Sequence, residues 1–311
     1  MVRIGNTELD VYPLQLGGNV FGWTADEAAS FEVLDAYAEA GGNFVDLADT
    51  YGGPQRSEGG DWSEAVVGRW LDSRDSRERM VIATKVGMGV DSAGLEPKRI
   101  REHAEESLRR LGTDYIDLYY AHRDDEQTPM HDVLSAFDAL VREGKVRYIA
   151  ASNFSAPRLT EALRISAQDG LASYVALQPH YNLLERAYET ELARVVAANG
   201  MSALPYFGLG AGFLTGKYEP GTEISGARAG RVSAYAKDPR APEVLRALRT
   251  IAAHRGAEPA TVALAWLRVQ PTVAAPIASA RSAEQLPALL ASAELELSTE
   301  ELASLAAATD S

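Results

Sequence analysis

The chain of 311 residues contains no cysteine, which excludes disulfide frameworks, thiolate nucleophiles and thiolate-ligated zinc together. Positive charge is also scarce: 30 Lys and Arg stand against 44 Asp and Glu, a formal net charge of -14. Nucleic acid is therefore not an expected partner, because neutralising a phosphate backbone takes clustered cations. No run of about 18 apolar residues exists, so no bilayer span is expected. The opening residues, 1 to 6, lack the charged start and apolar stretch of a signal peptide. The expectation is a soluble protein of the cytoplasm. Around His122 no second His or carboxylate lies at ligand spacing on a helix, and no metal site is expected.

Two nucleotide motifs are approached and missed. In Gly208-Leu209-Gly210-Ala211-Gly212-Phe213, Phe213 stands where a dinucleotide fingerprint needs its third glycine, and the stretch falls late in the chain. Its continuation to Lys217 is not a phosphate loop either, since Ala211 replaces the first glycine and Tyr218 the Ser or Thr.

What is present is an ordinary globular composition, 46% hydrophobic and 24% charged, enough for a sizeable core. At this length one α/β barrel domain spanning 1–311 is expected. Residues 3 to 12 alternate around Gly5-Asn6 as a small hairpin. Strand patterns then follow at 14 to 17, 43 to 46, 80 to 85, 115 to 120, 146 to 151, 174 to 178, 201 to 206 and 272 to 277. Helical patterns separate them, with extra helices near 242 to 255 and 298 to 308. Eight strands alternating with helices predict a single (β/α)8 barrel with an N-terminal hairpin and two added helices. Tyr218 to Pro242, rich in Gly, Arg and Ala, reads as a long mobile loop.

Four polar residues end apolar strand runs or follow them closely: Asp46, Tyr51, Lys85 and His122. Parallel strands would aim them at one face. A phenol near an ammonium, with a carboxylate and an imidazole beside it, is equipment for giving a proton to a carbonyl oxygen. Lys85 would lower the pKa of Tyr51, and Asp46 would hold Lys85 charged. Taken one at a time, Asp46 and Lys85 read equally well as a structural ion pair and Tyr51 as a rim aromatic; their joint placement at strand ends favours chemistry. Asp49 competes with Asp46 but falls in the loop. His103, His131, His180 and His254 have no partner identifiable from the sequence.

Asp46-Leu47-Ala48-Asp49-Thr50-Tyr51-Gly52, Ala83-Thr84-Lys85, the His122 strand end, Ser152-Asn153-Phe154, Gln178-Pro179-His180-Tyr181-Asn182 and Gly212-Phe213-Leu214-Thr215-Gly216-Lys217-Tyr218 together resemble the aldo-keto reductase superfamily. The resemblance implies a nicotinamide cofactor, NADPH before NADH, lying across the strand C-termini. It also implies Tyr51 as general acid, tuned by Lys85 and Asp46, with His122 orienting the substrate. By the same resemblance Ser152, Asn153 and Gln178 hold the carboxamide and Tyr206 stacks on the nicotinamide. Leu209, Gly210, Ala211 and Lys217 cover the pyrophosphate, and Ser279, Arg281 and Gln285 meet the adenosine phosphate. Ala278, Ser279 and Leu289 depart from the usual residues at that end, as does Phe207-Gly208 after the stacking aromatic.

Phe21, Trp23, Trp62, Phe207 and the loop 123 to 126 are candidates for the pocket mouth, which suggests an apolar carbonyl substrate. The expected activity is reversible reduction of aldehydes or ketones. A cofactor-binding regulatory subunit and a non-redox barrel lyase or isomerase are the alternatives.

Overall fold

A computed structural model of the chain describes residues 1–52, 62–89, 93–218 and 229–309. Strands β1 (Val2–Arg3) and β2 (Asp10–Val11) form the antiparallel hairpin expected at the N-terminus. Eight strands then form one parallel sheet: β3 (Gln15–Gly17), β4 (Phe44–Asp46), β5 (Val81–Val86), β6 (Ile116–Ala121), β7 (Val146–Ser152), β8 (Tyr174–Gln178), β9 (Ser202–Ala203) and β10 (Ile277–Ala278). Their order is β10-β3-β4-β5-β6-β7-β8-β9. The two edges meet, because Ala203 bridges Val273 in parallel and Ile277 N–H donates to Pro205 O at 2.9 Å. The sheet is thus a (β/α)8 barrel. Its last strand is short, and Pro276 immediately before it gives no N–H to a ladder.

Helices α1 (Glu27–Glu39), α2 (Ser63–Ser73), α3 (Pro97–Leu111), α4 (Met130–Arg142), α5 (Ala156–Asp169) and α6 (Leu192–Ala198) connect successive strands. Beyond β9 come α7 (Ala229–Ala236), α8 (Ala241–Arg255), α9 (Pro259–Arg268), α10 (Leu286–Leu290) and α11 (Thr299–Thr309). Local chemistry sets several ends. Asp26 accepts from Ala29 N–H at the start of α1, and Pro97 opens α3 where its missing N–H costs nothing. Gly112 and Gly170 close α3 and α5 at φ 63 and 64, a left-handed turn that only glycine enters without strain.

The expected loop from Tyr218 to Pro242 needs correction. Residues 219–228 lie outside the described residues, but α7 occupies much of the rest. Val232 and Tyr235, three apart, bury one face of it. Small and charged neighbours dilute that periodicity in the sequence.

The core has two parts. Inside the barrel, Phe44, Val81, Ala83, Leu118, Tyr120, Ala150, Ala176 and Leu204 pack on one another, joined by Ile4, Leu9 and Val11 of the hairpin region. Outside it, Val45, Ile82, Tyr119, Ala121 and Ile149 pack against the helices. Successive side chains of a strand alternate between these two layers.

Candidate active site

The alternation decides which polar groups meet. The inner row of β4 runs from Phe44 to Asp46, that of β5 from Val81 and Ala83 to Lys85, and that of β6 from Leu118 and Tyr120 to His122. In β7 and β8 the rows end at Ser152 and Gln178, which are paired directly. Each row is apolar until its last position, so the axis carries a plug of hydrocarbon beneath a polar layer. Asp46, Lys85, His122, Ser152 and Gln178 are all buried in that layer.

Lys85 is its hub. The ammonium donates to Asp46 Oδ2 at 2.7 Å, Leu47 O at 2.7 Å and the Tyr51 hydroxyl at 3.1 Å. An ammonium has three protons, and all three are committed. Asp46 Oδ1 in turn accepts from Gln178 Nε2 at 2.8 Å, which locks the carboxylate plane. Burial opposes the charge on Lys85, but Asp46 and Tyr51 overcome it and its pKa is raised. For Tyr51 burial dominates: Lys85 pulls its pKa down without winning, and the net shift is upward. The sequence-based expectation of a lowered Tyr51 pKa is therefore corrected. Asp46 adds to the upward shift, because a carboxylate so close offsets much of the ammonium's field.

His122 stands edge-on to Tyr51, with ring centroids 6.1 Å apart and an interplanar angle of 82°. Burial, then Lys85, then Arg123 hold its pKa well below the usual imidazole value, so it is neutral at pH 7. Its Nδ1 is buried with no hydrogen-bond partner among the described residues. Asn153, at φ 56, donates from Nδ2 to His122 O at 2.9 Å and accepts at Oδ1 from the Tyr206 hydroxyl at 2.8 Å. Ser152 Oγ donates to Gln178 O at 2.9 Å.

Asp49 lies on the other side of the wall. Its Oδ2 meets His103 Nδ1 of α3 at 2.8 Å, while its backbone N–H donates to Lys85 O at 3.1 Å. The hydrogen bond from the Asp49 carboxylate raises the His103 pKa against the opposing effect of burial. Close by, Glu64 of α2 accepts from Thr84 at 2.5 Å and pairs with Arg110 at 3.1 Å. His103, for which the sequence offered no partner, is thus tied to the segment carrying Tyr51. A pairing across 54 residues leaves no local signal.

With this geometry in view, comparison with known proteins is decisive. The Aldo/keto reductase family model matches residues 13–310. The chain belongs to the aldo/keto reductase family. It is 36% identical to "Protein tas" of Escherichia coli over 98% of this chain and 96% of that protein. It is 33% identical to "Uncharacterized oxidoreductase YrpG" of Bacillus subtilis, covering 96% and 92%. It is 29% identical to "Aryl-alcohol dehydrogenase [NADP(+)]" of Phanerodontia chrysosporium, covering 94% and 81%. As an aldo-keto reductase the chain is an oxidoreductase of carbonyl chemistry, and no helix among the described residues is long and apolar enough to cross a membrane.

Members of this family generally use nicotinamide cofactors, and the residues present fit one. Tyr206 is half-buried, with His180 stacked on its ring at 5.1 Å and 13° and no second ring stacked on it among the described residues. Ser152, Asn153 and Gln178 supply polar groups beside it. Gly210, Ala211 and Gly212, at φ 54, 57 and 105, curl the backbone into a tight turn in which Gly210 N–H donates to Phe207 O at 2.8 Å and Gly212 N–H to Leu209 O at 2.9 Å. Leu209 precedes this turn, and Lys217 is exposed beyond it with its ammonium over Tyr218.

On the segment after β10, Ser279 Oγ donates to Asn19 Oδ1 at 2.8 Å, and Gln285 Oε1 accepts from Arg281 N–H at 3.0 Å. The Arg281 side chain remains exposed. Of the expected pocket aromatics, Phe21 is fully buried, so it belongs to barrel packing and not to the mouth surface. Trp62 precedes α2 and lies against the Arg110 guanidinium at 4.2 Å, on the Glu64 side of the wall. Trp23 and Phe207 stay half-buried, and Phe207 takes a left-handed φ of 54.

Proposed function

We propose that this aldo-keto reductase is an NADPH-dependent reductase of aldehydes and ketones, reversible as an alcohol dehydrogenase, with Tyr51 as proton donor. One observation carries the reading. The third proton of the Lys85 ammonium goes to the Tyr51 oxygen. That oxygen already accepts, so the phenol's own proton is free to be given to a substrate oxygen.

The raised pKa keeps Tyr51 protonated at neutral pH, ready to act as an acid. When the proton leaves, the phenolate forms beside an ammonium already in place, so no reorganisation is needed at that moment. Asp46, fixed by Gln178, keeps Lys85 charged and aimed. His122, neutral and edge-on to Tyr51, offers its one N–H to orient the carbonyl oxygen toward the phenol. The chemistry a bound nicotinamide supplies is hydride transfer to the carbonyl carbon.

Tyr206 takes the ring face, Ser152, Asn153 and Gln178 the carboxamide, 209 to 211 and Lys217 the pyrophosphate. Ser279, Arg281 and Gln285 take the adenosine end. The exposed Arg281 and the relative named for NADP(+) support NADPH over NADH. The half-buried Trp23 and Phe207 favour apolar carbonyl compounds. The lack of cysteine and the net charge of -14 fit a barrel of the cytoplasm that binds small molecules and not nucleic acid.

The test is NADPH oxidation with a reactive aromatic aldehyde, comparing the intact chain with Tyr51→Phe. The substitution should lower turnover by about 10²–10⁴ and leave NADPH affinity within a few-fold. Equal turnover in both proteins would remove Tyr51 from the chemistry. Tight NADPH binding without turnover in either would favour the regulatory reading, and no binding at all the non-redox one.

A further inference from the structure

His180 and Tyr235 take no part in the proton chemistry, yet both are built into the wall behind Tyr206. His180 and Tyr206 lie on neighbouring loops after β8 and β9, joined by a parallel bridge and by Tyr206 N–H donating to Pro179 O at 3.0 Å. Behind the stacked imidazole, Tyr235 of α7 places its hydroxyl 2.7 Å from His180 Nε2.

The direction of that hydrogen bond follows from Asn182. Its Oδ1 accepts from the backbone N–H groups of Leu184 and Glu185 at 2.9 and 3.2 Å, so its Nδ2 must be the donor to Phe207 O at 2.9 Å and to the Tyr235 hydroxyl at 3.1 Å. The Tyr235 oxygen therefore accepts from Asn182 and sends its own proton to His180 Nε2. His180 is then neutral, with its proton on Nδ1. Burial, partly offset by Glu185, lowers its pKa in agreement. The Tyr235 ring also lies parallel to Phe213 at 6.3 Å and 13°, in the segment after Gly210.

We propose that His180 and Tyr235 are positioning residues for the cofactor: the chain Asn182, Tyr235, His180 fixes the plane of Tyr206 and so sets the affinity for the nicotinamide ring in particular. The Tyr206 hydroxyl is held from the far side by Asn153. With edge and back face both fixed, the free face is pre-organised for a flat ring, which then binds without ordering the platform. This inference rests on the reading of Tyr206 as the nicotinamide platform.

The experiment measures equilibrium binding of NADP+ and of 2′-phospho-ADP-ribose, which lacks the nicotinamide, by fluorescence quenching. The proteins are the intact chain, Tyr235→Phe, His180→Leu and the control Tyr206→Leu. Tyr235→Phe keeps the ring against Phe213 and removes only the hydroxyl, so it stays folded even if His180→Leu does not. Tyr235→Phe should weaken NADP+ about 5-fold and His180→Leu about 10-fold or more. Neither should change binding of the truncated ligand by more than twofold, an outcome that general loosening of the fold would not give.

Equal weakening of both ligands overturns the proposal in favour of a merely structural role. Unchanged NADP+ binding in both variants, with weakened binding in Tyr206→Leu, also overturns it while leaving the platform reading intact. If Tyr206→Leu itself binds NADP+ normally, the platform reading fails and the proposal with it.

Discussion

The two ends of the barrel each bury a carboxylate against cations, and they differ in what is left over. At the N-terminal end Asp117 of β6, almost fully buried, accepts from Arg77 at 2.9 Å, Arg147 at 2.8 Å and the Ile82 N–H at 2.9 Å. Arg77 also donates to Thr113, Met80 O and Tyr115 O, so four of its five N–H groups are committed. Both oxygens of the Asp117 carboxylate are answered there by fixed protein donors. At the mouth, Asp46 and Lys85 are equally enclosed, but among the described residues the chain of donors ends at a phenol whose proton has no acceptor, beside an imidazole with an unpartnered nitrogen. Saturation makes a brace; one unspent donor makes a candidate reaction site. Cavity size is a poorer guide. An open cleft of about 800 Å³, lined by Arg74, Arg77, Glu78 and Tyr115, opens at the braced end, where Arg74 and Arg77 are already paired.

Substitutions can break this contrast. Lys85→Met should have the largest effect, because it strips the mouth of its hub and leaves Asp46 buried without a cation. Turnover should fall by about 10²–10⁴, and stability by about 3–5 kcal/mol, read from steady-state rates and urea unfolding. Arg77→Met at the other end leaves Asp117 with Arg147 and the Ile82 N–H. Its cost should be about 1–3 kcal/mol in the same unfolding assay, with turnover per folded molecule unchanged. A turnover loss comparable to that of Lys85→Met would mean that the two ends do not divide the work as described.

The pH response sharpens the same comparison. The working state has Tyr51 protonated, Lys85 charged and His122 neutral. The pKa values of Tyr51 and Lys85 are raised above 10.0 and 10.5, and that of His122 is held well below 6.5. None of the three titrates between those limits, so turnover at saturating NADPH should stay level from pH 6.5 to about pH 9. A rate that halves across a single unit in this range and keeps falling would contradict the assignment.

The smallest effect belongs to Asp49 and His103. Because the folded pKa of His103 is raised above 6.5, the stabilisation from this pair is fully present below pH 6.5 and is lost as pH rises through the folded value. The change should be below about 1 kcal/mol. His103→Gln should flatten that part of the stability curve, measured by thermal unfolding from pH 6 to 9, and an unaltered slope would assign it elsewhere.

Much of the barrel was legible because its signals are local. Apolar runs at strand spacing and Pro97 at a helix start each act within a few residues. The same locality exposed Lys85 and His122, since each ends an apolar alternation. What escaped lay between segments far apart in the chain. His103 meets Asp49 across 54 residues and His180 meets Tyr235 across 55, and neither pair is marked by any pattern near either partner. Helix α7 escaped because two buried side chains among Gly, Ala and Arg make too thin a stripe.

The sequence by itself determined the order of strands and helices and, through the period of two along each strand, which side chains line the barrel axis. These follow from backbone geometry that each segment carries with it. Only the tertiary structure decided that Lys85 meets Asp46 while Asp49 turns outward to His103, that Phe21 is core and Trp62 lies on the outer wall, and that burial outweighs Lys85 at Tyr51. Those outcomes depend on distances between segments remote in the chain and on how much water each group loses, and neither quantity exists until the barrel has closed.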